Sequence, residues 1–260
     1  MAIPFIKASA CGNDFLIIDG VLAPDDIFEF SRRICDRHNG VGADGVEWIF
    51  PAQDADIYAR LINSDGSDAE ISGNGTRCVA AYLVERGGKE KLAVRTGAGI
   101  KYCEMVSRNQ AHFEFEMEMG RPQIGDDFSI SLSSGEVRGT PVSMGNPHYV
   151  VFVKDFPPDW QRQAAEIGRN EGFKQGVNVE FVKVKDRTGI EVRFYERGVG
   201  ESLSSGTGSC SSAVASIARG HASSPLRVQA PGGPQVVRWT GENVFLRGPA
   251  QLICRGEFLA

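Results

Sequence analysis

A chain of 260 residues, 42% of them apolar and 23% charged, has room for one large domain or two ordinary ones around a packed core. A net charge of −5 without any Lys/Arg run excludes a nucleic-acid surface and leaves a small molecule as the expected partner. No apolar run reaches the length of about 18 residues that spans a bilayer, and "MAIPFIKASACGNDF" has no export signal, so a cytoplasmic chain without a membrane partner is expected.

In chain order, Gly12-Asn13 leads into the extended run "FLIID", then Pro24, then Asp26 as the cap of a helix. "GVEWIF" and "IYARLIN" read as strands. Ser72 precedes Gly-Asn-Gly, and residues 76–86 are apolar or small nearly all round, as in a helix enclosed by its domain. "FEFEMEM" at 113–119 alternates without a fault and opens a second domain. Gly145-Asn146 then leads into "HYVVFV", followed by Pro157 and a second capping Asp159, and "VNVEFVKV" and "IEVRFYE" read as strands. Ser205 precedes Gly-Thr-Gly and a second small-residue helix over 209–219. The six cysteines lack C-x-x-C spacing, so free, mostly buried thiols are expected, with neither a zinc site nor a disulfide framework.

The order is the same twice. Sliding the chain by 133 residues superposes Gly12-Asn13 on Gly145-Asn146, Pro24 on Pro157, Asp26 on Asp159, Val46-Glu47 on Val179-Glu180, Ser72-Gly73 on Ser205-Gly206, and Arg86-Gly87 on Arg219-Gly220. Fifteen identities fall within residues 12–87 at this single offset, where chance gives about five, so the chain is a duplication. Two similar domains follow, with Ser72 superposing on Ser205 and the two side chains expected to face one another across a cleft.

Glycines ahead of a helix bring bare N–H groups close to a ligand, and the helix dipole favours negative charge there, so each turn is an anion seat. Two such seats with a hydroxyl apiece suit proton removal from one face of a carbanion centre and proton return on the other. Taken singly, either Gly-x-Gly could be a structural turn. Neither G-x-G-x-x-G nor the phosphate-loop pattern is satisfied, and no G-x-S-x-G elbow supports a hydrolase built on His148.

"CGNDFLIID", "NSDGSDAEISGNGTRC", "GNPHYVVFV", "GVNVEFV" and "ERGVGESLSSGTGSC" together resemble the diaminopimelate epimerase family over nearly the whole chain. The resemblance implies an α+β fold of two pseudo-symmetric domains, each a mostly antiparallel barrel-like sheet around a central helix. These are 1–112 with 250–260, and 113–249, with "QLICRGEF" a strand returning to the first domain. It implies epimerisation of LL- to meso-diaminopimelate without cofactor or metal, on a dicarboxylic amino-acid substrate, and leaves open whether the chain forms a homodimer. Asn13, Asn63, Asn146, Asn178 and Arg197 correspond to its substrate-holding set. Asn74 and the turn at Gly73, Gly75, Gly206 and Thr207 would seat the reacting carboxylate, and His148 and Glu196 would partner the two proton-transferring groups.

At those two positions the family carries cysteine, and this chain carries Ser72 and Ser205. A thiol ionises near pH 8.5 and an alkanol nearer the value of about 15.7 for water. Reaching the alkoxide therefore costs on the order of 7 kcal/mol more, about 10⁵ in rate. Deliberate replacement, natural divergence with proton transfer moved to other groups or another substrate such as a small polycarboxylate, and binding without turnover are the three readings. The surrounding Ser202, Ser204, Ser209, Ser211 and Ser212 favour divergence.

Overall fold

A computed structural model describes residues 2–259 and places most of them in strands, with four α-helices among the described residues. Two units divide the chain: one runs up to Met117 and resumes at Gly248, and the other is Glu118–Arg247.

In the first unit, β1 (Ala2–Ala10) and β2 (Asn13–Asp19) form an antiparallel pair turned at Cys11-Gly12, both at positive φ. After α1 (Ile27–Cys35) come β3 (Gly45–Phe50), parallel to β2, and β4 (Ile57–Asn63), antiparallel to β3. The short β5 (Asp68–Ala69) leads to α2 (Gly73–Glu85), then β6 (Lys91–Thr96), β7 (Gly99–Asn109) and β8 (His112–Gly120). Asp26 caps α1, accepting from the Phe28 and Glu29 amides at 3.1 and 3.0 Å, and the helix lays Phe30 and Ile34 on Trp48 of β3. Helix α2 packs against β1, β2, β4, β6 and β7. Cys78, Val79, Ala80 and Ala81 are fully buried there, and enclosing a side chain the size of Val79 stabilises by about 1.5–3 kcal/mol.

The second unit repeats this order. It holds β9 (Gln123–Ile124), β10 (Phe128–Leu132), β11 (Gly135–Ser143), β12 (Pro147–Phe152), α3 (Trp160–Gly168), β13 (Asn178–Asp186) and β14 (Gly189–Glu196). Then come β15 (Gly200–Ser202), α4 (Gly206–Ala218), β16 (Leu226–Ala230), β17 (Gly233–Arg238) and β18 (Val244–Leu259). As in the first half, β12 runs parallel to β13 and β13 antiparallel to β14. Helix α4 is enclosed by β11, β12, β13, β14, β16 and β17. Helices α2 and α4 are both 13 residues long and start 133 positions apart, at the offset of the sequence repeat. The fold is α+β. Strand β18 ends back in the first unit, where Gln251–Leu259 pairs antiparallel with β1. Cys11, Cys35, Cys78, Cys103 and Cys210 are buried and outside any disulfide, Cys254 is exposed, and no metal-holding cluster occurs among the described residues.

Two local expectations are corrected. Asp159 makes no side-chain cap on α3, because Arg162 and Gln163 take its carboxylate. The central helices also start three residues earlier than the apolar pattern suggests: Gly73 and Gly206 are their first residues, with Ser72 and Ser205 as N-caps. The glycines therefore belong to the first helical turn rather than to a bend before it, and the second one in each, at the third helical position, is required for space. A Cβ on Gly75 would lie 2.0 Å from Glu47 Oε1, and one on Gly208 would lie 2.9 Å from Glu180 Oε1, whereas Gly73 has open space. Gly75→Ala and Gly208→Ala should each cost about 1–3 kcal/mol by overpacking, and Gly73→Ala less than about 0.5 kcal/mol. Urea unfolding of the three variants measures this.

Candidate active site

The first turn of each central helix carries amide groups with no partner inside the helix. In the first unit Ser72 is half-buried in extended conformation, and its Oγ accepts from the Gly75 amide at 3.0 Å. Thr76 returns both its amide and its hydroxyl to the Ser72 carbonyl. Asn74, which is buried, donates from Nδ2 to Asn13 Oδ1 at 2.7 Å and accepts from the Arg77 guanidinium. Arg77 is fully enclosed and also donates to the Pro249 carbonyl at 3.1 Å. Asn13 in turn donates to Asp44 at 3.1 Å. Arg37 bridges Asp44 and Asp14 at 2.8 Å each. Burial by itself would raise the Asp14 carboxyl, but Arg37 and Lys7 outweigh it and hold it below the usual carboxylate range. This chain of charges fixes Asn13 and Asn74 at the mouth of the helix.

In the second unit Ser205 is buried; its Oγ accepts from the Gly208 amide at 3.3 Å and donates to Glu196 Oε2 at 3.0 Å. Asn146 donates to Thr207 Oγ1 at 3.3 Å and meets His148 Nε2 at 3.0 Å. His148 Nδ1 lies 2.7 Å from Glu180 Oε1, with both side chains buried. Asn178 spans from the Pro147 carbonyl to the Arg197 amide, both at 3.0 Å, and the exposed Arg197 guanidinium donates to the Gln175 carbonyl.

The expected residues thus gather in two groups. Asn13, Ser72, Gly73, Asn74 and Gly75 share the first seat, while Asn63, the last residue of β4, donates to Ser67 instead. Asn146, His148, Asn178, Glu196, Arg197, Ser205, Gly206 and Thr207 form the second group. A cavity of about 860 Å³ in the first unit, lined by Phe5, Leu22, Arg86 and Arg108 among others, includes none of these residues.

Residue-by-residue reading missed four members: Glu47, Glu180, Asp44 and Arg77. The signal for the glutamates was the matched Val46-Glu47 and Val179-Glu180, each a charge flanked on both sides by apolar residues of its strand. Burial pushes the Glu47 carboxyl up to about 8, and nothing opposes it. Burial raises Glu180 as well, against the pull of His148 and with the charge of Glu196 adding to the rise.

The sequence profile of diaminopimelate epimerase matches residues 5–125 and 140–253. The chain belongs to the diaminopimelate epimerase family. It is 36% identical to the diaminopimelate epimerase of Elusimicrobium minutum over 98% of both chains. It is 37% identical to that of Heliobacterium modesticaldum over 97% of this chain and 98% of the relative. Among solved structures, a Bacillus anthracis phenazine biosynthesis protein of the PhzF family covers 100% of both chains with a TM-score of 0.79 at 17% identity. A hydroxyproline epimerase from Agrobacterium vitis, with trans-4-hydroxy-L-proline bound, has a TM-score of 0.72 at 16% identity over 98% of this chain and 92% of that one. Those two likenesses are of fold. The full-length relatives make this an isomerase of the epimerase type, and no helix among the described residues is long and apolar enough to cross a membrane.

Glu47 gives this family member a pH signature. The unfolded chain releases the Glu47 proton near 4.5 and the folded one near 8, so the folded state holds more protons between those values and stability falls as pH rises through that window. Glu47→Gln should remove this fall, of about 1 kcal/mol per pH unit, leaving the variant close to the parent at pH 4 and more stable at pH 9. Urea unfolding across pH 4–9 checks the sign.

Proposed function

We propose that the chain is a cofactor-independent epimerase acting on diaminopimelate, interconverting the LL and meso forms by two proton transfers, one served by each half. The Ser205–Glu196 hydrogen bond at 3.0 Å, at the first turn of α4, carries the reading. A hydroxyl at a helix N-terminus that already donates to a carboxylate can take an α-proton while passing its own to Glu196. The bare amides of the same turn stabilise the enolate charge that develops on the substrate carboxylate. Asn74 and Thr207, at the second helical residue of α2 and α4, seat that carboxylate, and His148 orients Asn146 beside Thr207.

The distal end of a two-ended amino acid is assigned to Asn63, Asn146, Asn178 and Arg197. Asn146, Asn178 and the exposed Arg197 guanidinium gather in the second group, where they offer a ligand with several charged ends both amide and cationic donors. Arg197→Ala should weaken diaminopimelate binding by at least about tenfold and Ser72→Ala far less, with calorimetry as the readout. Equal affinities would remove the distal assignment.

Serine in place of the family's cysteines sets the rate. In deuterated water, LL-diaminopimelate should acquire deuterium at its α-carbon well below the ordinary enzyme rate of about 1 s⁻¹. Ser72→Cys with Ser205→Cys should raise full epimerisation by up to about 10⁵ under reducing conditions, and either substitution alone should raise exchange of one epimer only. A parent that binds diaminopimelate yet leaves its α-proton unexchanged would make this chain a binding protein.

A further inference from the structure

The duplicated seats are wired in opposite directions. At the offset of 133, Asn13 corresponds to Asn146 and Asn74 to Thr207. In the first unit the helix residue donates to the asparagine, from Asn74 Nδ2 to Asn13 Oδ1 at 2.7 Å. In the second the asparagine donates to the helix residue, from Asn146 Nδ2 to Thr207 Oγ1 at 3.3 Å.

An ion at each end sets the direction in the first unit. Arg77 donates to Asn74 Oδ1, and Asn13 Nδ2 donates to Asp44 Oδ2 at 3.1 Å. A guanidinium can only donate and a carboxylate can only accept, so the chain Arg77–Asn74–Asn13–Asp44 runs one way and neither amide can turn over. Asp44 is itself held by the Asp14 amide at 3.1 Å and by Arg37 at 2.8 Å. Both ends are missing from the second unit, where the offset puts Cys210 in the place of Arg77 and Val177 in that of Asp44. There His148 Nε2 meets Asn146 Oδ1 instead, at 3.0 Å.

We propose that Arg77 and Asp44 are positioning residues that make the first seat read a carboxylate, by holding the two amides so that Asn13 turns an N–H, and not its carbonyl, to the substrate. The inference rests on the epimerase reading above. Asn13 Oδ1 is taken by Asn74 and one Nδ2 proton by Asp44, so the second Nδ2 proton of this half-buried residue is what a ligand meets. A reversed chain would present Oδ1 there, which repels a carboxylate oxygen and accepts from a carboxamide. Arg77 is fully enclosed, with Nε on the Pro249 carbonyl at 3.1 Å, while its Nη1 finds no hydrogen-bond partner among the described residues. A buried charge with an idle nitrogen is a poor source of stability. The orientation it imposes is its contribution.

Calorimetry of the full chain with LL-diaminopimelate and with its diamide, in which both carboxylates are carboxamides, reads this as a ratio of affinities. The parent should favour the dicarboxylate by at least about 100-fold. Asp44→Asn keeps the shape but can donate as well as accept, so the chain can reverse, and the ratio should fall by at least about tenfold. Arg77→Met removes the other end and should lower the ratio to a similar extent, while Arg77→Lys, which still only donates, should stay closer to the parent. The distal end of the ligand contributes equally to the parent and to each variant and cancels. A general loosening of the fold weakens both ligands alike and leaves the ratio where it was.

A ratio unchanged in Asp44→Asn and Arg77→Met overturns the positioning role and leaves the epimerase reading standing. A parent that binds the two ligands equally also overturns it. A parent that binds neither overturns the reading of function and the positioning role with it. Should Arg77→Met fail to fold, Asp44→Asn decides alone, since Asp44 is only half-buried and its replacement leaves Arg37 paired with Asp14.

Discussion

Everything at this site follows from the start of an enclosed helix. The first amides of α2 and α4 have no partner within the helix, and strands on every side leave little water to serve them. A serine cap satisfies one amide in each, and a glycine at the third helical position lets a strand carboxyl approach the backbone. The remaining amides form a positive patch rigidly tied to the sheet, where a carboxylate ligand replaces lost hydration. The same device that completes the helix electrostatically creates the place where a carbanion's charge can be held.

Duplication copied that device and then divergence reassigned the groups around it. Asn13 and Asn146 keep one identity, and so do the caps and the strand glutamates, while Phe15/His148, Asn63/Glu196 and Asn74/Thr207 have separated. The conserved pairs build the frame, and the separated pairs decide which ionisable groups each frame contains. In the first unit the charge chain Lys7–Asp14–Arg37–Asp44–Asn13–Asn74–Arg77 runs from the surface to a fully buried guanidinium. In the second, polar contacts centre on His148 and Glu196.

The strands, both enclosed helices and the two serines were legible because each rests on local pattern: period-two alternation, small residues all round, and one repeat at fixed offset. The helix starts were less so, because glycine reads as a breaker in sequence, and only the carboxyl beneath Gly75 shows why helical glycine is needed. The capping role of Asp159 failed through competition, since Arg162 and Gln163 reach its carboxylate first. Glu47 stood in plain view in "GVEWIF", but its meaning depends on burial. Arg77 was illegible for a related reason: a cation in an apolar helix segment reads as exposed until the Pro249 carbonyl and Asn74 are found beside it.

The pairing of β1 with β18 ties the molecule to its order of synthesis. Ala2 stands opposite Leu259, and Ser9 opposite Gln251, so the first unit lacks an edge partner for β1 until residues 251–259 have left the ribosome. Closing so long a loop costs little more than closing one of half the length, since the entropy grows only with the logarithm. The delay is of another kind: until those residues emerge, β1 presents unpaired backbone on one side, a strand edge open to other chains. Meanwhile Glu118–Arg247 emerges complete, with its own core of Val192, Phe194, Val214 and Leu246. The half that begins first is therefore the half that finishes last, and a nascent chain stalled before Gln251 would display β1 as a ready template for aggregation.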